Sequence, residues 1–454
     1  MAKTVAAIAT PLMQGSIGVI RISGDEAISV ANKVFRCAKE GVSLENMAGY
    51  TAAYGYMFNE KGHIDDGVAL VFRAPHSYTG EDVVELSCHG GPVVLKQLLR
   101  AVLDAGAVSA GPGEFTKRAF LNGKLSLTQA EAVMDVISAQ STAALQTANG
   151  IKNGSVYKKI TALKDILVFC AASVAAYVDF PEEGTEYMDT TGWLDKLKQV
   201  EKELGELIRS FDSGALIKNG IDCVIAGKPN VGKSTLMNLL AQSERSIVTD
   251  IAGTTRDIVE ETVELDGVLL RLSDTAGIHS GSDEVEKIGI EKAKQRMKNA
   301  QLVLAVFDAG RPLCQEDMSI LESIKDQPTV LIVNKTDLGI AADLSVLQSY
   351  GKAVCISAAK GQGVDELKAA IMQACGANTL TPGQPVLANE RQLEAAKRAL
   401  SAVQSAVFDA KCGQTFDLIG VVLEDAISAL LELNGESVGE TVVSEIFSKF
   451  CVGK

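Results

Sequence analysis

Eight residues constrain this chain more than any others: Gly227-Lys228-Pro229-Asn230-Val231-Gly232-Lys233-Ser234. They fit G-x-x-x-x-G-K-[ST], a loop whose glycines let successive backbone N–H groups turn toward phosphate oxygens. The apolar run 221–226 reads as a buried strand and 234–240 as a helix. The loop then sits at a helix N-terminus, where the dipole favours an anion. Lys233 would reach the β and γ phosphates and Ser234 would ligate Mg²⁺. A chance glycine-rich turn satisfies the same pattern, so the reading depends on the rest of the chain.

Three later motifs each come after an apolar run. Asp274-Thr275-Ala276-Gly277 lies about 40 residues beyond Lys233. There Asp274 suits a second-shell Mg²⁺ role, and the Gly277 N–H would sense the γ-phosphate. Asn334-Lys335-Thr336-Asp337 comes after 330–333. The Asp337 carboxylate can accept both N–H groups of guanine's N1 and amino edge. Adenine lacks that pair and would leave a buried carboxylate unsatisfied. Asn334 and Lys335 would brace the loop. Ser357-Ala358-Ala359-Lys360 comes after 353–356 and can offer an N–H to the guanine carbonyl. In this order the four motifs resemble the G1, G3, G4 and G5 elements of small GTPases and predict a GTP site. The P-loop contacts would run through Asn230, Val231, Gly232, Lys233, Ser234 and Thr235.

Ras-like proteins orient the attacking water with a glutamine that here is Ile278, so another group must hold it. The oxygen-rich run Thr249-Asp250-Ile251-Ala252-Gly253-Thr254-Thr255-Arg256-Asp257, with Asn230, could enclose a monovalent cation beside the phosphates. Such a cation would neutralise transition-state charge as an arginine finger does. Asn230 could equally brace the loop by a hydrogen bond.

The chain's 454 residues suggest roughly two to four domains. A net charge of -14 argues against nonspecific nucleic-acid or anionic-membrane binding by the whole surface. Residues 1–12 lack the length of a signal peptide and the arginines of a transit peptide, and no run of about 18 apolar residues suggests a span. Nine scattered cysteines without a Cys-x-x-Cys read as reduced thiols, so a cytoplasmic location and no membrane are expected. Cys88-His89 alone reads as structural rather than metal-binding.

Upstream, 5–10, 18–22, 68–72 and 83–87 read as strands. Residues 25–35 read as a helix capped by Ser23, and 93–105 as a second helix. This predicts an α/β or α+β domain over 1–119. Two polar, glycine-rich connectors, 77–82 and 111–115, are either site loops or plain turns. Helices are expected over 127–147, 160–178 and 193–213, and again over 389–408, 417–433 and 437–450. The economical organisation is a helical domain, 120–218 and 379–454, interrupted by a Ras-like α/β domain at 219–378. Ser213-Gly214 and Pro382-Gly383 are plausible joints.

With the flanking helices, Arg21-Ile22-Ser23-Gly24, Tyr78-Thr79-Gly80-Glu81-Asp82, Arg118-Ala119-Phe120-Leu121-Asn122-Gly123-Lys124 and the terminal Cys451-Val452-Gly453-Lys454, the whole chain resembles the MnmE (TrmE) family of bacterial tRNA-modification GTPases. The resemblance implies K⁺ on Asn230, Thr249, Ile251 and Thr254, and Mg²⁺ on Ser234 and Thr255. It implies that Glu286 orients the water; by spacing alone Glu286 is an ordinary helix-face carboxylate. A family arginine after the Asp-x-x-Gly motif is here His279. The resemblance also implies an N-terminal domain that homodimerises and binds 5,10-methylenetetrahydrofolate or its 5-formyl analogue. Arg21, Glu85, Lys124 and Lys454 match its folate positions, and Cys451 matches a cysteine needed for modification. It implies a heterotetramer with the flavoprotein MnmG (GidA), which carries the FAD. Together they would attach aminomethyl or carboxymethylaminomethyl groups to C5 of the tRNA wobble uridine. The rival reading is a regulatory or ribosome-assembly GTPase switch without covalent chemistry.

Overall fold

The structure is a computed structural model that describes residues 3–179, 190–243, 260–274, 295, 297–376 and 384–454. The chain divides into two compact units, one of residues 1–134, 157–197 and 401–454 and one of 135–156 and 198–400.

In the first unit seven strands form one sheet: β1 (Val5–Ile8), β2 (Ile17–Ser23), β3 (Phe35–Cys37), β4 (Thr51–Asn59), β5 (Gly62–Phe72), β6 (Val83–His89) and β7 (Val108–Ser109). Their order is β3-β4-β5-β6-β2-β1-β7. Every pair is antiparallel except β1 with β7. Side chains alternate between faces along a strand, so Ile20, Ile22, Val84 and Leu86 bury together. They share a core with α1 (Ala27–Val34) and α2 (Pro92–Asp104). Ser23 does not cap α1. Glu26 holds the N-cap position with no side-chain bond, and the Ser23 hydroxyl is taken by Thr79 and Glu81. The helix α3 (Glu114–Leu121) and most of the β4–β5 hairpin are elements that the sequence pattern did not announce.

The expected helix over 127–147 is two helices, α4 (Leu127–Ser138) and α5 (Thr142–Lys152). Ser141 separates them. Its backbone is extended and its hydroxyl accepts the Ala144 N–H, so an N-cap wins over continuation. Then come α6 (Ser155–Asp179) and α7 (Thr190–Asn219). By length and composition α6 could cross a membrane, with a mean hydropathy of 1.6. Its Ile160, Leu163, Leu167, Cys170 and Val174 are buried, however, the stripe of a core helix. The Trp193 indole N–H donates to the Cys170 carbonyl at 3.1 Å.

The second unit holds a six-stranded sheet: β8 (Ile221–Ala226), β9 (Glu260–Leu265), β10 (Val268–Asp274), β11 (Leu302–Asp308), β12 (Thr329–Asn334) and β13 (Ala353–Cys355). The order is β13-β12-β11-β8-β10-β9, and only β9 runs antiparallel to its neighbour. β8 and β11 are almost wholly buried, as parallel strands covered on both faces must be. The helices are α8 (Lys233–Ser243), α9 (Gln315–Ser323), α10 (Leu344–Tyr350) and α11 (Val364–Ala374). The carboxyl ends of β8, β11, β12 and β13 fall at one edge, where open α/β sheets bind ligands.

After the sheet come α12 (Glu390–Lys411), α13 (Phe416–Asn434) and α14 (Glu440–Ser448). In the first unit Phe447 and Phe450 pack with Leu127 and Ala130. Gly435 ends α13 at φ +84°, and a Cβ there would lie 2.4 Å from that of Leu127. Gly435→Ala combines left-handed strain with overpacking and is expected to lower the stability of this unit by at least about 2 kcal/mol. Guanidinium unfolding of the full chain, followed by Trp193 fluorescence, measures this; an unshifted transition would refute the packing described.

Candidate nucleotide site and a polar cluster on the N-terminal sheet

The loop after β8 is shaped by close approach. A Cβ on Gly227 would fall 2.5 Å from the Val306 carbonyl oxygen, and one on Gly232, at φ +102°, 2.3 Å from Asn334 Nδ2. Asn230 itself takes φ +65°, one of four described non-glycine residues at positive φ. The buried Lys233 ammonium donates to the carbonyls of Gly227 (2.8 Å) and Lys228 (2.9 Å), so the lysine lies folded along its own loop. Ser234 and Thr235 are exposed in the first turn of α8. Val231 is buried beneath them.

Asn334 joins three loops. Its side chain is 2% exposed. Nδ2 donates to the Val231 carbonyl at 2.9 Å, and Oδ1 accepts the Ala358 N–H at 2.9 Å. Lys335, at φ +67°, adds a second tie: its ammonium donates to the Asn230 carbonyl (2.6 Å) and to Asp308 Oδ2 (2.8 Å). Asp308 ends β11 beside Asn334 and was not anticipated from the sequence, although a carboxylate closing the apolar run 302–307 is a legible signal. Lys228 is held likewise, by Asp317 (2.9 Å) and Cys314 (3.1 Å), and those contacts raise its pKa. The Asp337 carboxylate accepts the Ser357 hydroxyl at 2.7 Å, with Lys360 at 3.6 Å. Chiefly that Ser357 bond holds its pKa below the ordinary 3.8. Ala359 is exposed beside it.

Asp274 ends β10 opposite Ile225, two residues before Gly227. Thr249, Asp250, Ile251, Ala252, Gly253, Thr254 and Thr255 lie outside the described residues, as do Thr275, Ala276, Gly277, Ile278, His279 and Glu286. So does the Pro382-Gly383 joint. Among the described residues, then, the structure assembles Asn230–Thr235, Asn334, Lys335, Asp337 and Ser357–Ala359 around one sheet edge. That edge presents backbone donors, a lysine ammonium and a carboxylate together.

The first unit carries a separate cluster. Arg21 and Glu85 face each other across β2 and β6. Nε and Nη2 of Arg21 lie 2.8 and 2.7 Å from Glu85 Oε1. The guanidinium stands over the rings of Phe115 (5.6 Å) and Tyr78 (5.8 Å), and Nη1 donates to the Gly453 carbonyl at 3.4 Å. The C-terminus docks here. Val452 forms a bridge with Pro112, the Phe115 N–H donates to the Lys454 carbonyl, and the Gly113 N–H donates to that of the exposed Cys451. Gly453, at φ +98°, is required by closeness, since a Cβ would lie 2.3 Å from the Ile8 oxygen.

The two glycine-rich connectors meet beneath it. Arg118, 8% exposed, donates to both oxygens of Glu81 (3.1 and 2.9 Å), to Glu114 and to the Lys3 carbonyl. The Tyr78 hydroxyl pairs with Thr116 at 2.9 Å. Lys124 crosses the first connector and donates to the Pro75 carbonyl at 3.1 Å. Cys88 and His89 cannot share an ion. Cys88 lies in the core, its thiol pushed up to about 11 by burial, while the exposed His89 pairs with Asp65 at 2.9 Å.

Comparison with known proteins adds a family. A family model described as the MnmE helical domain matches residues 127–451, and one described as the GTP-binding protein TrmE N-terminus matches 4–124. The tRNA modification GTPase MnmE of Lactobacillus helveticus is 39% identical over 456 residues, covering 99% of this chain and 98% of that protein. The protein of that name from Lachnoclostridium phytofermentans is 41% identical over 458 residues, covering 99% of each. That from Aquifex aeolicus is 40% identical over 457 residues, covering all of both.

The geometry makes Asn334 a test of the first site. Asn334→Ala strands the Val231 carbonyl and the Ala358 N–H, and GDP affinity should fall at least about tenfold. Calorimetric titration reads this, and an unchanged affinity would contradict the bracing role.

Proposed function

The chain belongs to the MnmE family of tRNA modification GTPases, and on that premise we propose that its GTP hydrolysis drives modification of the tRNA wobble uridine. Acting with the flavoprotein MnmG (GidA), it attaches an aminomethyl or carboxymethylaminomethyl group to C5. The carbon comes from a tetrahydrofolate one-carbon unit, and FAD resides on the partner.

In this reading Lys233 and the P-loop amides hold the β and γ phosphates, while Ser234 and Thr255 hold Mg²⁺ near Asp274. Asp337 selects guanine, and the exposed Ala359 amide meets its carbonyl, while the Ala358 N–H stays with Asn334. Asn230, Thr249, Ile251 and Thr254 hold K⁺, and Glu286 orients the attacking water. The domains run 1–119, 120–218, 219–378 and 379–454. The protein works as a cytoplasmic homodimer whose two GTPase domains associate when GTP is bound.

One observation carries modification over a simple switch: the Arg21–Glu85 pair closed by the chain's own C-terminus. A binding switch has no use for it. Both Arg21 contacts fall on Oε1 of a carboxylate 23% exposed. Its other oxygen suits the N–H donors of a pterin, and the exposed Tyr78 ring offers a flat apolar neighbour. Lys124 and Lys454 supply cations for an acidic tail. Bound there, a one-carbon folate supplies the methylene carbon. The residues of this chain bind and orient it, and Cys451 stands exposed beside the same pocket.

Full-length protein titrated with 5-formyltetrahydrofolate should bind it. Glu85→Gln should weaken binding at least about tenfold, as loss of a charged acceptor implies, with GTP turnover unchanged. No binding to the wild-type protein would favour the switch reading. Replacing K⁺ by Na⁺, or Asn230 by Ala, should slow GTP hydrolysis with little loss of nucleotide affinity. Equal rates in the two salts would remove the cation assignment.

A further inference from the structure

The β9–β10 hairpin ends on a helix rather than in solvent. The backbone N–H of Thr142, first residue of α5, donates to Glu264 Oε1 at 2.8 Å, and the next N–H, of Ala143, donates to the Gly267 carbonyl at 3.2 Å. The Ser141 hydroxyl accepts the Ala144 N–H, and its carbonyl accepts the Leu145 N–H as the first bond of the helix itself. Of the N-terminal amides that a helix leaves without an internal partner, the hairpin takes those of Thr142 and Ala143 and the Ser141 hydroxyl takes that of Ala144. Steric fit matches the bonding. Gly267 sits at φ +85°, where a Cβ would lie 3.3 Å from that of Ala143.

The other end of the hairpin is at the phosphate loop. β10 runs from Val268, next to Gly267, to Asp274, which lies opposite Ile225 just before Gly227. Seven extended residues span about 20 Å, and a strand hydrogen-bonded on both sides transmits displacement along its length. Beneath α5 the packing is incomplete. Ala144, Thr147, Ala148 and Ile217 line a small cavity of about 30 Å³. The Thr147 hydroxyl, in a side chain 7% exposed, has no hydrogen-bond partner there. The unpaired hydroxyl marks a weak point in the packing under this helix.

We propose that α5 reads the state of the nucleotide site through this hairpin, with Glu264 and Gly267 as positioning residues that cap the helix in one nucleotide state and release it in the other. The inference rests on the GTP-driven modification reading, since the signal needs a destination outside the GTPase domain. The capping bonds themselves do not depend on that reading.

Hydrogen–deuterium exchange of full-length protein, with GDP and with GDP–aluminium fluoride, tests it. The amides of Thr142 and Ala143 should exchange about tenfold differently in the two states, the effect of making or losing one hydrogen bond to a charged acceptor. In Glu264→Ala the fast rate should hold in both states, and Glu264→Gln, which keeps an acceptor, should restore part of the difference. GTP hydrolysis by Glu264→Ala should stay within about twofold of wild type while its yield of modified uridine falls about tenfold. Equal exchange of these amides in both states of the wild type overturns the proposal, as does an intact difference in Glu264→Ala. If wild-type protein modifies no tRNA but the exchange difference is present, the capping switch stands and the modification reading fails.

Discussion

The nucleotide site depends on the carboxamide of Asn334. It is buried, and each of its two polar atoms is committed to backbone, one to the P-loop and one to the loop that faces the base. The carboxamide suits this place because it donates and accepts at once. An aspartate could not donate to Val231, and a leucine would orphan both partners at a cost of about 1–3 kcal/mol each. The P-loop and the loop of Ser357 to Ala359 are thereby fixed relative to each other. Lys335 and Asp308 repeat the tie outside the buried centre, where it is weaker.

The N-terminal cluster uses the same economy with opposite charge. Arg118 is nearly buried, yet it meets Glu81, Glu114 and a main-chain carbonyl, so its charge is compensated on several sides. That scaffold fixes Tyr78 and Phe115, which in turn frame Arg21. Arg21 then spends its Nε and Nη2 on one oxygen of Glu85 and its Nη1 on the C-terminal tail. The last four residues therefore close over the Arg21–Glu85 cluster, and the close approach to Ile8 explains why a glycine must stand at 453.

Much of this was legible in the sequence. Each loop motif carries its own chemistry and comes after an apolar run, so the strand ends of the second sheet could be named. Long helices were legible from their apolar period. The break at Ser141 was not, because an alanine-rich run on either side keeps the helical pattern while a single capping hydroxyl ends it. Ser23 misled for the complementary reason: a residue of capping type was claimed by Thr79 and Glu81, distant in sequence. Arg118 and Glu81 lie within recognisable motifs, but their pairing joins residues 37 apart and no local period reveals it. Asp308 was overlooked because it belongs to no motif and matters only through its register with Asn334.

If the GTP site and the Arg21–Glu85 cluster serve one reaction on tRNA, as proposed, that reaction must fail when either is lost. Mass spectrometry of tRNA nucleosides from cells lacking this chain, and from cells with it restored, tests this most directly. The 5-aminomethyl-type wobble uridines should vanish without the chain, return with the wild-type copy, and stay absent with a Glu85→Gln copy that still hydrolyses GTP. Nucleosides unchanged by the loss, in cells with no second copy, would contradict the proposal and leave a GTPase without a part in the modification.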